Sequence, residues 1–139
     1  IEPASAKLHA EEGSTEAHEE LARLVDDIPA AWEAGRLGPA TAHLHRRMVE
    51  LSGNATLGMI AGMLHEISER HTPAAILGAH NVVPKAQYAK VFKSYHRLVD
   101  LVSSRKGPET EAHWRRHMEA ASAALLKGHE KTKVRDIMD

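Results

Sequence analysis

Residues 41–54 read "TAHLHRRMVELSGN". Thr41, Leu44, His45, Met48 and Leu51 recur at helical spacing and form a single stripe. His45 therefore falls at the inner edge of a helix, while His43 lies about 200° round the axis from it and points elsewhere. Ser52-Gly53 is a stop, and Asn54 is suited to cap a following helix. The stretch thus selects a helical fold and turns one imidazole toward its interior.

The same period continues outward in both directions. Residues 2–12 read as a short helix broken by Gly13-Ser14. In residues 15–34, Leu21, Leu24, Val25, Ile28 and Trp32 make one broad apolar stripe, which Pro29 should kink or restart. "GRLGP" at 35–39 is a turn, with Pro39 placed to open the next helix. Beyond Asn54, the residues expected to face a core are Leu57, Ile60, Met63, Leu64 and Ile67. Residues 72–83 read as a helix extension followed by a loop. Residues 84–105 return to helix with Tyr88, Phe92, Tyr95, Val99 and Val102 inward, and His96 falls between Phe92 and Val99 on the same side. After Gly107-Pro108, a last helix runs over 108–127 through Trp114, Met118, Ala121 and Leu125, with Gly128 as its stop. The expected fold is all-α, an antiparallel bundle of about six helices over residues 1–130, with a polar tail at 131–139.

Composition narrows the function. The chain has 139 residues, 42% of them hydrophobic and 27% charged, which suits one globular domain. A formal net charge of −1 provides no basic field for binding nucleic acid. With no cysteine, disulfides, thiolate zinc sites and cysteine nucleophiles are excluded. No run of about 18 apolar residues occurs, so no membrane span is expected, and a cytoplasmic location is the simplest reading. Ser52, Ser94, Ser103 and Ser104 lack the strand–turn–helix setting of an activated serine. Glu66, Glu69 and Glu119 flank histidines but lie off the apolar stripes, so they read as solvated.

Histidine is abundant at 11 residues, and clusters arise cheaply in such a chain. Even so, three helices each aim an imidazole inward: His45, His96, and the pair His113 and His117, which share a face at i, i+4. A lone inward histidine is usually a hydrogen-bonded core residue. Three converging imidazoles would need a shared partner, and a divalent transition metal is the common solution. Spacing alone leaves scattered core histidines and a metal site both open.

"LHRRMVELSGNATLGMI", followed about 50 residues later by "YHRLVDLV" and then "HWRRHMEAA", resembles the C-terminal sensor (FCD) domain of GntR-type, FadR-subfamily bacterial transcription regulators. That family shows an Asp-x-x-x-His segment, a Ser-Gly-Asn turn, a later His-x-x-[Ile/Leu] helix and a final Met-x-x-His. The resemblance covers essentially the whole chain. It implies metal ligands at His45, His96 and His117, with Trp114 in place of the usual Met. The ion it implies is a divalent transition metal, zinc foremost, with nickel or manganese as alternatives. The family's Asp is Thr41 here, and a neutral hydroxyl is a poor ligand for a divalent ion. The resemblance further implies a small carboxylate effector bound in a cavity inside the bundle, with Thr41, His65 and His113 as candidate contacts. It implies a homodimer, and operator DNA bound through a winged helix-turn-helix expected upstream of this chain. Asp100, one turn after His96, could support a ligand but reads more simply as a surface carboxylate. Two other functions remain open to test: a metal-dependent helical-bundle enzyme, which lacks an evident general base, and a non-catalytic helical interaction module.

Overall fold

A computed structural model describes residues 2–71 and 84–129. Among these residues there is no strand; the elements are α1 (Glu2–Glu12), α2 (Thr15–Asp26), α3 (Ile28–Glu33), α4 (Leu37–Glu50), α5 (Ala55–His71), α6 (Lys85–Ser103) and α7 (Gly107–His129). The six expected helices are all present, the second divided at Asp27, just ahead of Pro29. The reading of residues 72–83 and that of the tail at 131–139 lie outside the described residues.

Local chemistry sets the boundaries. The Ser14 hydroxyl accepts the Ala17 N–H at 3.0 Å and so caps α2. Gly53 stands at φ +89°, a left-handed conformation that ends the Ser-Gly-Asn junction. Asn54 then caps α5, its side-chain oxygen accepting the Leu57 N–H at 3.0 Å. At the other end of the chain, α7 runs through Gly128 to His129, one residue past the expected stop.

The core gathers Leu21, Val25 and Ile28 from α2 and α3 with Leu44, Met48 and Val49 from α4. Tyr95, Leu98 and Val102 of α6 and Trp114 of α7 close it. Small residues bring α1 into this core, where Ser5, Ala6, His9 and Ala10 are all buried. Gly107 belongs to the same close approach: a side chain there would run into that of Glu11. Two carbonyls staple α1 in place. His9 Nδ1 is 2.9 Å from the Met48 carbonyl of α4, and His18 Nε2 of α2 is 2.8 Å from the His9 carbonyl. The Arg47 guanidinium forks onto both oxygens of Glu20 at 2.6 and 3.0 Å, tying α4 to α2.

Two stripes depart from expectation. On α5, Leu57 and Ala61 pack on the core, while Met59, Ile60, Met63, Leu64 and Ile67 are exposed. On α7, Ala121 is exposed. No described helix is long and apolar enough to cross a membrane.

Candidate functional site: a polar cluster at His45

Four helices meet at the side chain of His45. On α4, buried Leu44 and Met48 fix the rotation of the helix, and this leaves His45 facing α1, α6 and α7. Glu2, in the first turn of α1, places Oε1 3.0 Å from His45 Nδ1. The same oxygen accepts the indole N–H of Trp114 at 3.2 Å. Tyr95 of α6 sets its hydroxyl 3.1 Å from His45 Nε2, and Thr41 stands beside that hydroxyl, one turn back on α4. A carboxylate only accepts, so the His45 proton belongs on Nδ1. In the neutral ring, Nε2 is then the acceptor for the Tyr95 O–H.

His117 completes the group from α7. Its ring stacks on Trp114 at 4.2 Å between centroids and 6° between planes, and lies 5.7 Å from the ring of His45. Ser94 Oγ is 2.8 Å from His117 Nδ1, and the Ser94 carbonyl accepts from His113 Nε2 at 2.9 Å.

The electrostatics follow from this packing. Burial raises the Glu2 carboxyl, but the His45 and Trp114 hydrogen bonds together with the charge of His45 outweigh it and hold the group below its usual range. Burial pushes the Tyr95 phenol up, and the charge of Glu2 adds to this. Burial, aided by His45 and His113, brings His117 down to about 4, so its imidazole is neutral at pH 7, with Nδ1 hydrogen-bonded to Ser94 Oγ. The cluster therefore holds the carboxylate of Glu2, the imidazoles of His45 and His117, of which His117 accepts a proton only at low pH, and the hydroxyls of Thr41, Tyr95 and Ser94.

The family model for the FCD domain matches residues 1–120. The chain belongs to the FCD domain family. FCD domains are the ligand-sensing regulatory part of GntR-type transcription regulators, proteins that are not enzymes. Comparison with curated proteins and with solved structures gave no match.

In this FCD domain the expected site residues part company. His45, His117 and Thr41 come together, and His113 stands behind them on Ser94. His96 does not join them. It is exposed, with its ring edge-on to Phe92 at 4.5 Å, at the end of an aromatic row running Trp32, Tyr88 and Phe92. The inward place on that turn of α6 belongs to Tyr95, because Leu98 and Val102 set the buried side 100° away from His96. His43 and Asp100 are exposed, as read from the sequence. The side chain of His65 lies outside the described residues. Glu2, Tyr95, Ser94 and Trp114 were missed as site residues. Tyr95 was legible as an inward residue, but nothing in the sequence joins Glu2 to His45, 43 positions away.

The residues present do not fit the expected metal ion. A three-histidine site needs three ring nitrogens with free lone pairs aimed at one point. Here one histidine of the three faces outward, both nitrogens of His45 are engaged by Glu2 and Tyr95, and Nδ1 of His117 is engaged by Ser94. Among the described residues, no three histidine, aspartate or glutamate side chains are arranged to hold an ion. An open groove of about 510 Å³ lies between α4 and α5, lined by Arg46, Glu50, Met59 and Met63, and no residue of the cluster lines it.

Proposed function

We propose that this FCD domain senses a small organic acid at the His45 cluster and passes its occupancy to a DNA-binding domain of the same regulator. The observation that supports this most strongly is the cluster itself. Glu2, Thr41, His45, Tyr95, Trp114 and His117 bring polar atoms from four helices to one point inside the bundle. A purely structural core gains little from such an assembly, since each buried polar group has to be matched. Such groups recognise a carboxylate well: the indole N–H of Trp114 and the imidazole N–H of His45 already converge on one carboxylate oxygen, that of Glu2. A ligand that repacks this point shifts α1, α4, α6 and α7 relative to one another, and that is the structural change a sensor needs.

Pairing of two copies through α5 is part of the proposal. Met59, Met63, Leu64 and Ile67 are more than half exposed, an apolar face that a homodimer would cover. Operator DNA is then bound by a winged helix-turn-helix of the parent protein, because the charge of −1 gives this domain no attraction for phosphate.

The test is a thermal-shift panel of small mono-, di- and hydroxycarboxylates. At least one is expected to raise the Tm of the wild type by several degrees at saturating ligand, and the His45→Ala variant should lose that response. A response equal in both proteins would reject the cluster as the binding site.

A further inference from the structure

The geometry points to a metal-independent site in this FCD domain, in which the Glu2 carboxylate provides the negative charge and Thr41 and Tyr95 are the two positions whose side chains exclude an ion. The inference concerns the donor set and stands apart from which acid the domain senses.

Four side chains from α4, α6 and α7 surround the point between His45 and His117: Thr41, His45, Tyr95 and His117. Two are imidazoles and two are neutral hydroxyls. Tyr95 sets a phenol hydroxyl against Nε2 of His45, where an ion would need an anionic or neutral-nitrogen ligand. Thr41 spends its own proton on the Gly38 carbonyl at 2.9 Å and likewise brings no charge. The one carboxylate comes from outside this set. Glu2 reaches in from α1 and binds N–H groups, those of His45 and Trp114, rather than standing opposite a lone pair. An ion placed between the imidazoles would have to compete with the Tyr95 hydroxyl for Nε2 of His45 and with Ser94 for Nδ1 of His117. Hydrogen bonds thus already occupy both nitrogens of His45 and Nδ1 of His117.

Both substitutions that should reverse this are small. Thr41→Asp places a carboxylate one turn before His45, and Tyr95→His places an imidazole where the phenol meets His45. Each retains the helix position and the inward direction.

The experiment uses untagged protein incubated with zinc, nickel or manganese, dialysed, and measured for bound metal by inductively coupled plasma mass spectrometry. The wild type is expected to retain less than about 0.1 equivalent that depends on His45, judged against His45→Ala. The Thr41→Asp/Tyr95→His double variant is expected to retain about one equivalent of at least one ion, with a zinc-dependent rise in Tm that EDTA reverses. Tyr95→His alone, which perturbs the core least, should show weaker uptake of the same ion. A stoichiometric, His45-dependent ion in the wild type would overturn the inference while leaving acid sensing intact. Uptake no greater than wild type in double and single variants that keep native far-UV circular dichroism would overturn it as well. Failure of every carboxylate in the thermal-shift panel, by contrast, bears on the sensing function and not on the donor set.

Discussion

Glu2→Ala is the perturbation whose cost can be worked most directly. Glu2 Oε1 accepts from the Trp114 indole at 3.2 Å and lies 3.0 Å from His45 Nδ1, and Trp114 is fully buried. Truncation leaves the indole N–H without its acceptor inside the bundle, a loss of about 1–3 kcal/mol. It also removes an acidic residue from the first turn of α1, where it interacts favourably with the helix dipole, for roughly 0.3–1 kcal/mol more. Relief from desolvating the carboxylate offsets part of this, and the Glu2 side chain is 25% exposed, so water can reach the vacated place. The expected net destabilisation is about 2 kcal/mol. Glu2→Gln keeps an acceptor and loses only the charge, so it should cost about half as much. Urea unfolding at pH 7, followed by tryptophan fluorescence, gives both values. A double-mutant cycle with Trp114→Phe isolates the contact and should return a coupling of about 1 kcal/mol. If Glu2→Ala stays within about 0.5 kcal/mol of wild type, or the coupling is zero, then Glu2 is not seated in the cluster and the reasoning fails.

Three further outcomes are expected. Burial holds His117 at about 4 and His9 below its ordinary value, so both bind a proton more readily unfolded than folded. Stability is therefore full above about pH 6.5 and falls as the pH drops toward the folded values. His117 alone should lose about 1–2 kcal/mol between pH 8 and pH 5. A thermal melt series should show this as a Tm decline that His117→Gln flattens, and an unchanged slope in that variant would assign the effect elsewhere. On α5, Met63→Glu or Ile67→Glu should weaken self-association at least about tenfold in sedimentation equilibrium, since each charge replaces an apolar contact worth about 1.5–3 kcal/mol. Gly53→Ala meets no neighbouring atom within 4 Å, so its expected cost of about 1 kcal/mol in urea unfolding is the strain of φ +89° alone.

What the sequence made legible was what depends on neighbours along the chain. Ser14, Pro29, Gly53 and Asn54 announce their boundaries because caps and breaks act over three or four residues. His45 was placed inward correctly because Leu44 and Met48 flank it at helical spacing. His96 was misplaced for a related reason. Phe92 and Val99 mark only the edge of the buried face of α6, and its centre, set by Tyr95, Leu98 and Val102, lies a full residue away. One position on a helix is 100°, enough to exchange a histidine for a tyrosine at the cluster. On α5 the sequence points a stripe at the core that the fold leaves exposed, because hydrophobic period reports a face that wants cover, not what covers it. Glu2 could not be found at all: its partners are 43 and 112 residues away, and no local pattern encodes such a meeting.

The position of Glu2 has a mechanical meaning. α1 is riveted at its middle, where His9 grips the Met48 carbonyl and His18 grips that of His9. Its leading end is latched by the carboxylate between His45 and Trp114. A rod packed along one face and latched at its tip takes a pull on that tip at the latch first. Any segment joined ahead of Glu2 would pull on that latch through a single peptide link, and a molecule settling at His45 would loosen the same latch from inside.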